Sequence, residues 1–182
     1  MGKAIGLVEF KTVSSGVRAA DTMVKTADVD IIQAETVCPG KYFVLVEGDL
    51  SAVRAAVDAA KNTNTEHLID TFVLGNPHDT LFPAIYGATE IENPKSLGIL
   101  ETYSVASAIV AADIAAKTAV VDLIELRLAR GMCGKSYVML TGEVAAVSAA
   151  IEKAKSGAGE EGMFLDSTVI AGPDEKLWKT IL

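Results

Sequence analysis

The chain is written twice, and that repetition constrains its fold more than any other feature. Ala4-Ile5-Gly6-Leu7-Val8-Glu9 corresponds to Ser96-Leu97-Gly98-Ile99-Leu100-Glu101. Ala19-Ala20-Asp21 with Lys25-Thr26-Ala27 corresponds to Ala111-Ala112-Asp113 with Lys117-Thr118-Ala119, and Val29-Asp30-Ile31-Ile32 to Val121-Asp122-Leu123-Ile124, all at an offset of 92. Past residue 38 the offset becomes 94, pairing Gly40-Lys41 with Gly134-Lys135 and Gly48 with Gly142. Near the end of each copy it becomes 96, pairing Asp70 with Asp166, Val73 with Val169, Pro77 with Pro173 and Ile85 with Ile181. A fixed period means one supersecondary unit used more than once. The insertions fall between matching segments, so we expect two folded domains, 1–88 and 96–182, joined by the polar linker 89–95.

Each copy is legible as a run of elements. Ile5–Phe10 is a short apolar run with β-branched content, read as a strand. Ser14 or Ser15 is placed to cap a helix whose Val17, Ala20, Val24 and Ala27 share one face. Val29–Thr36 and Tyr42–Val46 read as strands on either side of a turn. Asp49 or Ser51 opens a second helix with Val53, Ala56, Val57 and Ala60 inward, and Leu68–Leu74 is a fourth strand. The order β-α-β-β-α-β predicts an α+β fold of two tandem ferredoxin-like domains, each an antiparallel sheet covered by helices.

Composition removes several function classes. The net charge is −8 and the sixteen Lys and Arg are scattered, so the basic stripe of a nucleic-acid binder is missing. No apolar run approaches the ~18 residues that cross a bilayer, and Met1-Gly2-Lys3 leads into a strand-like segment without a signal-type apolar region. Two cysteines make no disulfide framework, which suits a reduced, cytoplasmic setting. Half the residues are hydrophobic yet only 5% are aromatic, a composition that suggests surface reserved for other subunits.

The candidate site is the turn Val37-Cys38-Pro39-Gly40-Lys41-Tyr42, echoed by Arg130-Gly131-Met132-Cys133-Gly134-Lys135-Ser136. A free cysteine is often a small buried hydrophobe. Cys38, however, stands among turn residues and close to a lysine, which favours a thiolate. One thiol builds no metal site within a chain, but a ring with this turn on its symmetry axis would bring one thiolate per copy to a single point. For Cys133 an inert secondary thiol is the simpler reading. Gly134-Lys135-Ser136 resembles the end of a phosphate-binding loop, but Ala129 stands where that motif needs glycine and a strand follows where it needs a helix. The backbone N–H groups of Gly40 and Gly134 are further candidates to face an axial solute. His67 and His78 have no acid or nucleophile at motif spacing, so no triad or zinc site is expected. Trp178, matching Phe82, reads as packing.

The duplicated β-α-β-β-α-β copies, the openings Gly6-Leu7-Val8-Glu9 and Gly98-Ile99-Leu100-Glu101, and the helices ending in Ala-Ala-Asp-x-x-x-Lys-Thr-Ala resemble tandem-domain bacterial microcompartment shell proteins over nearly the whole chain. The Cys-Pro-Gly-Lys turn resembles the T-type branch found in propanediol-utilisation compartments. The resemblance implies a non-enzymatic homotrimer that imitates a hexagonal tile and packs with other shell proteins into a sheet, with a central pore lined by Pro39, Gly40, Lys41, Gly131, Met132 and Gly134. It implies that Cys38 from each of three subunits holds an iron–sulfur cluster, of the 4Fe-4S kind, at the trimer axis. The cluster would pass electrons across the shell, in a direction the sequence leaves open, or control passage through it, with an encapsulated redox enzyme as a candidate partner. Lys25, Lys117 and His78 would lie at the tile edge, although Asn76-Pro77-His78 and Gly172-Pro173-Asp174 lack the arginine usual before Pro-His there. Two competing readings are a metal-free tile with a metabolite pore, and a ferredoxin-like sensor or enzyme that binds a small ligand. The missing acid–base constellation weighs against an enzyme.

Overall fold

A computed structural model describes residues 4–63, 65–159 and 163–182. The elements are β1 (Ala4–Phe10), α1 (Val13–Thr26), β2 (Val29–Val37), β3 (Lys41–Gly48), α2 (Leu50–Thr63), β4 (Leu68–Leu74) and α3 (Leu81–Tyr86). They are followed by β5 (Ser96–Thr102), α4 (Val105–Thr118), β6 (Val121–Arg127), β7 (Ser136–Gly142), α5 (Val144–Gly159), β8 (Phe164–Ile170) and α6 (Glu175–Ile181). They form two four-stranded antiparallel sheets, ordered β2-β3-β1-β4 and β6-β7-β5-β8. This is the expected α+β architecture, one βαββαβ-like unit used twice.

The repeat extends to register. Leu7 pairs with Leu45 and Phe72, as Ile99 pairs with Met139 and Thr168. Irregularities fall at matching places, between Ile31 and Gln33 in β2 and between Leu123 and Glu125 in β6. Central strand β1 is buried along its whole length. Gly6 explains how closely α2 approaches it: a Cβ there would lie 2.6 Å from Val53 and 2.8 Å from Val57. The α2 face is the one the sequence predicts, with Val53, Ala56, Val57 and Ala60 all buried.

Helix α1 departs from expectation. It begins at Val13, so Ser14 and Ser15 lie in its first turn and Thr12 occupies the cap position without a side-chain cap bond. Its buried face is Ser15, Gly16, Ala19 and Met23. The face shared by Val17, Ala20, Val24 and Ala27 is a different one: Val17 is 51% and Val24 42% exposed, and Ala20 and Ala27 are half-buried. The helix is apolar on two sides, and the smaller side chains let it lie close on the sheet.

The two copies differ in what they leave open. In α4 the positions equivalent to Val13, Val17, Ala20 and Val24 are Val105, Ile109, Ala112 and Ala116, and all four are buried in the single chain. Strand β2 has Ile31 exposed, whereas the equivalent Leu123 in β6 is buried. The short helices that end each copy escaped the sequence reading and differ in the same sense. Leu81 and Ala84 of α3 are buried, while α6 buries none of its residues and leaves Leu177 exposed and Trp178 half-buried.

By contact the chain forms two compact units, one of Met1–Pro77 with Ser104–Ala106 and Ala129–Gly134, the other of His78–Tyr103, Ser107–Leu128 and Lys135–Leu182. The first therefore holds both cysteine turns, and the second holds α3 lying on β6.

Candidate functional site

The first turn is tight because β2 and β3 stay paired up to Val37 and Lys41. Only Cys38, Pro39 and Gly40 lie between them. The Cys38–Pro39 peptide is cis, Gly40 takes a left-handed φ of 112°, and the Gly40 N–H donates to the Val37 carbonyl at 2.9 Å. That donor is spent inside the turn, so the Gly40 amide is not the solute contact the sequence suggested. Cys38 and Pro39 are exposed, and the Cys38 thiol is free.

Lys41 turns its side chain inward. Its Nζ sits 3.1 Å from Glu9 Oε1 and donates to the Gly134 carbonyl at 3.1 Å. Glu9 is fully buried, and its Oε2 accepts the backbone N–H of Val105 at 2.8 Å. That N–H is an orphan donor of the first turn of α4, where a carboxylate is favoured by the helix dipole. Asp70 faces Glu9 across the β1–β4 ladder, accepts from the Thr71 N–H at 2.8 Å and takes a hydrogen bond from the Ser104 hydroxyl. Burial pushes the Glu9 carboxyl above its usual range, Lys41 and the Val105 amide oppose this, and the Asp70 charge adds to the rise. Two carboxylates, one ammonium and a helix N-terminus thus form one buried polar knot.

The second turn rests on that knot. Ala129, Gly131, Cys133 and Gly134 all have left-handed φ, and Arg130 pairs with Glu35 at 2.8 Å. A Cβ on Gly134 would lie 2.9 Å from Lys41 Cε and 3.3 Å from the Cys38 carbonyl, so the two turns meet there and glycine is required. Cys133 is exposed and free, Gly131 is exposed, Met132 is half-buried and Gly134 is buried. Counted back from the repeated lysines, Cys38 matches Met132 and Pro39 matches Cys133, so the thiols are not equivalent. Exposed thiols have the donor chemistry of iron–sulfur ligands. Among the described residues, no group of three or more His, Cys, Asp or Glu in one chain is placed to hold a metal ion.

Of the edge candidates, the structure brings two together. Lys117 pairs with Asp113 at 2.6 Å, and the other oxygen of that carboxylate accepts the His78 N–H at 2.8 Å, while the His78 ring contacts the Thr80 hydroxyl. Lys25 lies apart, exposed and paired with Asp21 at 2.7 Å. A cluster that sequence reasoning missed lies in the second unit, where the Tyr137 hydroxyl donates to Glu125 Oε2 at 2.5 Å and Arg127 bonds the other oxygen. Burial first, then the bond to Glu125, pushes the Tyr137 phenol up to about 12. Beside it a cavity of about 540 Å³ is lined by Thr89, Ile91, Ile124, Glu125, Arg127 and Leu182 among others. No described helix is long and apolar enough to cross a membrane.

Known proteins share both the repeat and the fold. The BMC domain model matches residues 4–77 and again 96–173. The chain is 36% identical to the bacterial microcompartment shell protein PduT of Citrobacter freundii over 182 residues, covering all of this chain and 99% of that one. The carboxysome shell protein CcmK2 of Thermosynechococcus vestitus is 37% identical over 82 residues, 43% of this chain but 80% of that one, so one copy here spans most of that relative. Among solved structures, a microcompartment protein from Desulfitobacterium hafniense DCB superposes with a TM-score of 0.86 at 46% identity, covering 98% of this chain and 99% of the other. A duplicated sequence, two sheets of one topology and end-to-end similarity to such proteins lead to one conclusion: the chain belongs to the BMC-domain family of bacterial microcompartment shell proteins, with the domain twice in tandem.

Proposed function

We propose that this chain is a structural tile of a microcompartment shell that closes head to tail into a homotrimeric pseudohexamer and packs with other shell proteins. The carrying observation is the asymmetry between copies. Within one chain α3 lies on β6 and the outer face of α4 is buried, whereas α6, β2 and the outer face of α1 stay open. A following chain that offered its second copy to the first would repeat the internal contact, α6 onto β2, and cover the α1 stripe as the α4 stripe is covered. Such a heterologous contact generates rings when its rotation closes. Chains of two domains give an even number of domains, and three chains give six-fold pseudosymmetry. Sedimentation tests the ring, and a monomer at every micromolar concentration refutes it.

The axial turn is the site we assign to an iron–sulfur cluster, shared by Cys38 of three subunits, with Lys25, Lys117 and His78 toward the tile edge. One chain offers only an exposed thiol on a constrained turn, so any such site is built by assembly. Bound there, a cluster would supply one-electron chemistry. The chain's own residues hold the Cys38 turn closed through Gly40 and anchor its neighbour through Lys41. Iron and acid-labile sulfide, measured after anaerobic reconstitution, should be lost in Cys38→Ser and largely kept in Cys133→Ser. Iron undiminished in Cys38→Ser, or lost only in Cys133→Ser, removes the assignment. The metal-free tile with a metabolite pore is the second reading, and a reconstituted wild type that holds no iron would favour it.

A further inference from the structure

The polar knot around Glu9 exists in one copy only, although its residues are repeated. Glu101 matches Glu9, Lys135 matches Lys41 and Asp166 matches Asp70, with Glu101 facing Asp166 across β5–β8 as Glu9 faces Asp70. Asp166 even accepts the Ser167 N–H at 2.8 Å, as Asp70 accepts that of Thr71. What the second set lacks is its counterpart to Ser104, Val105 and Gly134. Among the described residues, neither the Glu101 carboxylate nor the Lys135 ammonium has a hydrogen-bond or ion-pair partner, and both side chains are half-buried. The residues that match the missing groups are Thr12, Val13 and Gly40. Of these, the Thr12 hydroxyl is spent inside the chain, donating to Ser15 at 2.8 Å, while the start of α1 and Gly40 stay open. Helix α1 has no acid in its first turn and no side-chain cap bond, and the space beside Gly40 is empty to 4 Å, where Gly134 has Lys41 packed against it.

We infer that Lys135 and Glu101 of one chain complete, against a second copy, the arrangement that Lys41 and Glu9 complete internally. Lys135 Nζ donates to the carbonyl of the partner subunit's Gly40, and the Glu101 carboxylate accepts the N–H of the partner subunit's Val13 at the start of α1. The chemistry is complementary on both sides: an ammonium meets a carbonyl, and a carboxylate meets orphan N–H donors at a helix N-terminus. Lys135 is then a positioning residue for the Cys38 turn of its neighbour. The turn that carries Cys38 is closed by its own Gly40–Val37 bond, and the lysine that braces it from outside belongs to another chain. This rests on the head-to-tail ring proposed above.

Lys135→Met, Lys135→Arg and Glu101→Gln, made in a Cys133→Ser background, test it by two readouts. The first is the concentration at which the assembly half-dissociates, from sedimentation equilibrium, and the second is the alkylation rate of Cys38 by iodoacetamide. Lys135→Met and Glu101→Gln should each raise the half-dissociation concentration by about tenfold or more, the usual range for charge-assisted bonds. They should also speed alkylation of Cys38 in assemblies held above that concentration. Lys135→Arg should restore most of both, and the melting temperature of dissociated chains should not move. Unchanged association and alkylation in Lys135→Met and Glu101→Gln, in a background that assembles, overturns this inference alone. A parent protein that stays monomeric overturns the ring, and with it this contact.

Discussion

Replacing Val17 by aspartate separates ring closure from folding. Val17 retains 51% of its surface in the single chain, while Ile109 at the matching position of α4 retains none. Burying a whole valine side chain is worth ~1.5–3 kcal/mol, so covering the remaining half on closure gains about 1 kcal/mol per interface. An aspartate forfeits that gain and adds the cost of taking an unpaired carboxylate out of water, on the order of 3 kcal/mol after relaxation and water penetration. The combined loss, about 4 kcal/mol, corresponds to roughly a thousandfold weaker association at each interface. In the dissociated chain the same aspartate faces solvent, so its effect on folding should stay within about 0.5 kcal/mol. Ile109→Asp places the charge in a closed interior, where losses above ~4 kcal/mol consume much of a domain's ~5–15 kcal/mol stability. Sedimentation velocity over a dilution series, with thermal melts followed by circular dichroism, reads both quantities. A Val17→Asp protein that assembles like wild type, or one that unfolds as readily as Ile109→Asp, refutes the reasoning.

Two further outcomes follow from the polar clusters. Lys25→Asp should leave fold and trimer intact yet disrupt sheets seen by electron microscopy, whereas Lys117→Asp should also lower folding stability by about 1–2 kcal/mol, because Asp113 is buried and would face a second carboxylate; normal sheets from the double variant remove both lysines from the edge. The Tyr137 phenol is raised from 10.0 to about 12, so the folded chain holds that proton more tightly than the unfolded one. Its contribution to stability is complete below pH 10 and declines as pH rises through 12. Absorbance titration should show one of the four tyrosines ionising late, and Tyr137→Phe should remove that step.

The parts of the fold that are local were legible, and those that depend on distant partners were not. Offsets of 92, 94 and 96 locate both copies, and period 3.6 identifies the inward face of α2 correctly, because α2 has one apolar face. Helix α1 has two, and periodicity cannot tell which lies on the sheet and which stays open; the small residues Gly16 and Ala19 were the available clue. Helices α3 and α6 are too short for a periodic signal. At the site, the Cys38 turn was visible from Pro39 and Gly40. The Glu9–Lys41 pair was not, since its members are 32 residues apart and the Val105 amide is 96 from Glu9. A signal did exist: a glutamate near the end of β1 and β5, and a lysine at the start of β3 and just before β7, recur at matching places in both copies.

The close approach of α1 to its sheet also bears on the history of the duplication. A Cβ on Gly16 would fall 2.4 to 2.6 Å from the Tyr42 side chain, so glycine and tyrosine fit only as a pair. The matching positions in the other half carry Ala108 and Ser136, a larger residue opposite a smaller one. The first half therefore accepts no side chain at position 16 while tyrosine stands at 42. Recombination between the two repeats of the gene, which would otherwise keep them alike, would carry alanine to a site opposite tyrosine whenever a crossover fell between these codons. Such a product would be overpacked between α1 and its sheet, at a cost of about 1–3 kcal/mol.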